Sequence, residues 1–153
     1  MATMAVPDAG MLENSVHVFP VRVYFEDTDS GGIVYYANYL RYAERARTEM
    51  LRCIGYPHAK MMSEDGLVFA VRRCEVDYMK PAHLDDALEI YSGSVEIEAA
   101  SLWIEQTIRR EGDEIARLQV RLACVGDAGK PKRLPSELRD VLLPLLAVNN
   151  SKQ

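Results

Sequence analysis

The densest run of reactive side chains in this sequence is Glu26-Asp27-Thr28-Asp29-Ser30-Gly31-Gly32. Carboxylates crowded in this way repel one another unless something uses or solvates them. Such a run can serve as a solvated turn that sets negative charge near a helix N-terminus, where the macrodipole favours it. It can also do chemistry: the glycine pair lets the backbone approach a ligand closely, and one carboxylate then acts as a general base or a nucleophile. A third reading sets Asp27 and Asp29 on the same side of a strand as Mg²⁺ ligands for phosphoester hydrolysis. Elsewhere the reactive groups are dispersed. His17, His58 and His83 are scattered, and Cys53, Cys74 and Cys124 form no C-x-x-C pair and read as reduced core thiols.

The acidic run must be positioned by what flanks it. Residues 16–26 place His17, Phe19, Val21, Val23 and Phe25 on one face, which is a strand signal, and Pro20 marks an edge or bulge. From Asn38 to Ile54 the period becomes helical: Tyr39, Ala43, Ala46, Met50 and Ile54 form a stripe, flanked by Leu40 and Leu51. Gly55 ends the helix and Pro57 prevents a restart. Arg47 falls inside the apolar stripe, and Glu44, three residues earlier, is its expected partner. Glu44 is also an alternative carboxylate base, and His58 follows just past the helix.

Four strands follow. Parity switches at Arg72-Arg73 and around Gly93, which predicts bulges there. The last strand alternates cleanly, with Ala116, Leu118, Val120, Leu122 and Cys124 inward. Residues 135–146 read as a short helix. One long helix against an antiparallel sheet of about five strands is an α+β layout.

The chain has 153 residues, with 18 Lys+Arg against 23 Asp+Glu, a net charge of −5. A domain of this size buries roughly 68–70% of its unfolded surface, enough for one core without staples. The acidic balance supplies no basic face for nucleic acid. The apolar stretch 141–148 is too short for a membrane span of roughly 20 residues, and the N-terminus lacks a signal-peptide pattern, so a cytoplasmic location without membrane insertion is expected. Residues 1–14 and 147–153 are expected to be mobile tails around a single domain, 15–146.

The longer string EDTDSGGIVYYANYLRYAERAR, residues 26–47, resembles the hotdog-fold acyl-CoA thioesterases. It carries the D-x-D-x-x-G-x-V-x-x-x-x-Y pattern of the 4-hydroxybenzoyl-CoA thioesterase group and its relative, the Tol-Pal-cluster acyl-CoA thioesterase of bacteria. Here the pattern reads Asp27, Asp29, Gly32, Val34 and Tyr39, and the likeness extends over roughly 19–135. The resemblance implies a helix wrapped by a sheet, dimers joined edge to edge and often paired into a homotetramer, and an active site at the dimer interface. It makes Asp29 catalytic and implies no metal or cofactor.

The chemistry so implied is hydrolysis of an acyl-CoA. Backbone N–H groups between Val34 and Ala37 would hold the carbonyl oxygen. Gly32, Ile33, Val34 and Tyr35 would contact substrate. Tyr36 stands where the Tol-Pal relatives carry histidine and the 4-hydroxybenzoyl-CoA group carries tyrosine, so it is a second catalytic candidate. Lys130, Lys132 and Arg133 are expected to meet the nucleotide phosphates. A competing reading is a non-hydrolytic module that binds acyl-CoA or acyl carrier protein. A hotdog dehydratase is conceivable on fold alone, but the motif favours hydrolysis.

Overall fold

The computed structural model describes residues 3–148. Six antiparallel strands form one sheet in the order β1-β2-β4-β5-β6-β3. They are β1 (Met11–Glu13), β2 (Val16–Arg22), β3 (Val68–Tyr78), β4 (Ala87–Ile97), β5 (Ser101–Arg110) and β6 (Asp113–Val125). Helix α1 (Asn38–Cys53) packs across the concave face. Its Ala43 and Ala46 are fully buried, and their small side chains let the helix axis approach the sheet closely. Tyr39, Tyr42, Met50 and Leu51 fill the space around them, against Ile90, Ile104 and Leu118. This is the hotdog layout. The short α2 (His58–Lys60) leads through a π-turn, Met61–Asp65, into β3, and α3 (Ser136–Leu142) closes one end of the core.

Several expectations match in detail. The helix begins at Asn38 and ends beside Gly55, whose φ is +85°. Register shifts fall between Val71 and Arg73 and between Gly93 and Glu96, where the parity switches placed them. The five inward positions of β6 are all buried. Pro20 is exposed beyond the reach of β1, which covers β2 only along Val16–Val18.

Three expectations are corrected. The sheet has a sixth strand, β1, inside the segment expected to be a mobile tail. Asn14 and Ser15, both at positive φ, make a two-residue turn that folds 11–13 back onto β2. The first long strand stops at Arg22, and Phe25–Asp27 form a 3₁₀ turn, so Phe25 is 82% exposed rather than inward. The Arg47 guanidinium donates not to Glu44 but from Nη1 to Gln106 Oε1 on β5 at 3.0 Å. Gln106 Nε2 in turn donates to Ser92 Oγ and to Ala43 O, each at 2.9 Å. Of the expected C-terminal tail, Ala147 N donates to Val95 O at 2.9 Å, and residues 149–153 lie outside the described residues. Among the described residues no helix is long and apolar enough to cross a membrane.

Candidate active site

The acidic run forms a small closed loop at the mouth of α1. Asp29 N donates to Ile33 O at 2.9 Å, Gly32 N returns to Asp29 O at 3.0 Å, and Thr28 bridges Val34. Gly32 sits at φ +84°, which an L side chain adopts only with strain, so glycine is required at the tip. The Asp29 carboxylate is exposed, and one of its oxygens accepts the Gly31 N–H at 2.8 Å. That bond holds the side chain in one orientation while the second oxygen stays open to a reactant.

Asp27 has the opposite fate. It is 5% exposed, its Oδ2 accepts the Tyr24 N–H at 2.8 Å, and its carbonyl accepts both the Tyr35 N–H and Asn38 Nδ2 at 2.9 Å. The buried Tyr42 phenol lies near it with no hydrogen-bond partner among the described residues; burial first, and then the nearby Asp27 carboxylate, push that phenol well above its ordinary pKa. Asn38, through its bond to the Asp27 carbonyl, therefore pins the loop to the helix. One aspartate is inward and the other outward on a turn, so they do not form the common face that a paired metal site would need.

The helix mouth supplies donors. Val34 N donates to Ala82 O and Tyr35 N to Asp27 O, each at 2.9 Å, so these two N–H groups are occupied. Asn38, Tyr39 and Leu40 N–H groups turn back onto Tyr35, Tyr36 and Ala37 carbonyls. Among the described residues the Tyr36 and Ala37 N–H groups have no acceptor. They stand at the positive end of α1 and can accept developing negative charge. The 62% exposed Tyr36 ring packs on Tyr35 and Tyr78, and Tyr78 Oη donates to the Tyr36 carbonyl at 3.2 Å. That bond ties the mouth to the far end of β3.

The basic candidates are elsewhere. Lys130, Lys132 and Arg133 follow β6 beside Val68: Lys132 N donates to Cys124 O at 2.9 Å, and its ammonium donates to the Asp65 carbonyl. Asp29 and this loop thus lie toward opposite ends of β3, a strand roughly 33 Å long at about 3.3 Å per residue. His83 is exposed, whereas His58 lines a cavity between α1 and β3. Sequence reasoning missed Asn38 as the loop anchor and Ala82 as the acceptor that uses up Val34; an asparagine at the helix start was the available signal for the first.

A helix cradled in an antiparallel sheet of this order is the hotdog layout of the thioester hydrolases. The chain belongs to the Thioesterase-like superfamily, whose sequence model matches residues 23–142. It is 41% identical over 131 residues to the acyl-CoA thioesterase YbgC of Haemophilus influenzae, covering 84% of this chain and 95% of that one. A probable thioesterase from Bartonella henselae superposes with a TM-score of 0.76 at 36% identity, over 78% of this chain and 99% of its own. A 4-hydroxybenzoyl CoA thioesterase crystallised with 4-hydroxybenzoyl CoA shares the fold, with a TM-score of 0.78 at 20% identity over 84% of this chain and 99% of its own.

Proposed function

We propose that this protein hydrolyses the thioester of an acyl-CoA to the free acid and CoA. The observation that supports the reading is the pair of N–H groups, Tyr36 and Ala37, without an acceptor among the described residues, just past the loop that carries the exposed Asp29 carboxylate. The thioester oxygen sits on these donors and gathers negative charge as the carbonyl is attacked. In one course Asp29 takes a proton from the attacking water, and collapse of the tetrahedral adduct breaks the C–S bond and releases the thiolate. In the other Asp29 attacks first and the C–S bond breaks to release the thiolate, leaving a mixed anhydride that water then opens to the acid and the free Asp29 carboxylate. Tyr36 contributes through its backbone, with its ring fixed on Tyr78. Gly32 and Ile33 form the near wall.

A site of this kind needs more than one chain supplies. Among the described residues the 11-residue edge strand β3 pairs only with β6, and its Val68, Val71 and Tyr78 are 38%, 53% and 46% exposed. A long exposed edge is covered when a second copy pairs antiparallel with it about a two-fold axis. That pairing lays the Tyr78 end of one strand beside the partner's Val68 end, so the basic loop of one subunit meets the catalytic loop of the other. Lys130, Lys132 and Arg133 then hold the phosphates in trans. The three cysteines are free, as suits the cytoplasm.

The test is thiol release from an acyl-CoA panel. Asp29→Asn should lose about 10²-fold or more; full retention would refute the role of Asp29. Mixing Asp29→Asn with a Lys130→Glu/Lys132→Glu/Arg133→Glu variant should restore about a quarter of the wild-type rate, since each mixed dimer contains one intact site. No restoration from two folded, exchanging variants would refute the two-chain site.

A further inference from the structure

The groove between α1 and β3 holds a charge that the hydrolytic chemistry leaves unused. Two adjoining cavities of about 270 and 310 Å³ run along it, and Glu44, Arg47 and Val71 line both. Their other walls are mainly apolar, with Leu118 and Val120 in the smaller and Phe69, Leu102 and Leu122 in the larger. Arg47 is only 9% exposed. Of the guanidinium's several N–H groups, one is committed, to Gln106 at 3.0 Å. Among the described residues no other acceptor takes a hydrogen bond or ion pair from it, so its remaining donors are available to whatever fills the cavities.

Glu44 lies one turn earlier on α1 and brings a carboxylate to the same waist. Burial lowers the Arg47 pKa, and the Glu44 charge opposes that shift. His58, in the wall of the larger cavity, is held below its usual pKa by burial and faces the groove as a neutral ring near pH 7. The waist is therefore an apolar channel crossed by Arg47 and Glu44, with the exposed Arg41 further out in the wall of the smaller cavity.

Such a channel discriminates among acyl tails. A plain alkyl chain strips water from Arg47 and offers no acceptor in return. A carboxylate tail satisfies Arg47 but is set against Glu44. A hydroxyl accepts from Arg47 and donates to Glu44, which neither alternative does.

Reach can be judged from the paired β3 edges. The partner's helix mouth arrives at the Phe69 end of the groove, and Val71, beside Arg47, is two residues further along β3. At about 3.3 Å per residue that is roughly 7 Å, the reach of an acyl chain of about six carbons.

We propose that Arg47 and Glu44 are specificity-determining residues that read a distal hydroxyl on the acyl group and turn away unsubstituted and carboxylate-tailed chains. This rests on the thioesterase reading and on its paired edges. The test compares hexanoyl-CoA, 6-hydroxyhexanoyl-CoA and adipoyl-CoA as substrates of the purified protein. The hydroxylated chain should lead both others in kcat/KM by about tenfold or more, as for a hydrogen bond to a charged group.

Arg47→Met should erase the preference over hexanoyl-CoA. Glu44→Gln, at an exposed position that keeps the test available if the buried variant misfolds, should raise adipoyl-CoA relative to hexanoyl-CoA. Titrating the same three compounds into Asp29→Asn protein gives the selectivity as a Kd ratio, independent of turnover. Equal rates and equal Kd values across the three would overturn the specificity pair and leave the thioesterase reading standing. Hydroxyl-selective binding with no hydrolysis by wild type would overturn the thioesterase reading alone.

Discussion

Replacing Gln106 by leucine should destabilise the protein by about 3 kcal/mol, although the two side chains are close in volume. Gln106 is fully buried, and its amide serves three partners: the Arg47 guanidinium at 3.0 Å, Ser92 Oγ at 2.9 Å and the Ala43 carbonyl at 2.9 Å. A hydrogen bond to a charged group contributes about 1.5–3 kcal/mol and a neutral one about 1. Ala43 O can also accept a bond within the helix, so its loss adds little. The sum is about 3 kcal/mol, equivalent to a fall in Tm of ~6–12 °C for a domain of this length. The assay is urea unfolding followed by far-UV circular dichroism, at matched protein concentration because association shifts apparent stability. Arg47→Met alone should cost a similar amount, because it leaves Gln106 Oε1 and its neighbours dry. The double variant should cost much less than the sum, since an apolar pair leaves no stranded charge. Strict additivity of the two losses, or a Gln106→Leu change below about 0.5 kcal/mol, would refute the buried network as a coupled unit.

Three further outcomes follow from the geometry. His17 is fully buried with Nε2 on the Ala9 carbonyl at 2.8 Å, and burial, the largest influence on it, lowers its pKa from 6.5. The unfolded chain therefore binds the proton first: the stability is fully present above pH 6.5 and is lost as pH falls from there toward the folded pKa. A Tm series from pH 7.5 to 5 should slope less for His17→Gln than for wild type; identical slopes would exclude His17 as a source. Gly10→Ala should detach the N-terminal strap, because a Cβ there would stand 2.2 Å from the Val18 carbonyl at φ +75°; limited proteolysis should cut before Glu13 without loss of the core, and unchanged resistance would contradict this. Val71→Lys places charge on the exposed edge of β3; sedimentation should show a monomer, and a monomer with the full hydrolytic rate would exclude the two-chain site.

What the sequence discloses here, and what it hides, divides along physical lines. The β6 alternation, the two bulges and both ends of α1 are legible because each is written in residues that are neighbours along the chain: a period of two, a change of parity, a glycine at positive φ. The Asp27-to-Gly32 run is legible as a loop for the same reason, but which aspartate turns inward is decided by Asn38 and the Tyr24 N–H, and only the folded turn brings these together. The parity of β2, continued to Phe25, points that side chain inward; the chain leaves the strand at Arg22 and the parity loses its meaning.

Arg47 marks the same boundary. Helical spacing offers Glu44 as its partner, whereas the sheet offers Gln106, 59 residues away, and a buried guanidinium takes the acceptor on the face it is pressed against. Strand order carries the longest-range consequence. Asp29 and the Lys130–Arg133 loop are linked by a single strand that happens to lie at the sheet edge. An interior β3 would hold them apart permanently, whereas an edge β3 lets a second copy, running the other way, close the distance. The division of the proposed site between two chains is thus a property of where β3 sits in the sheet, and no spacing within one chain could have encoded it.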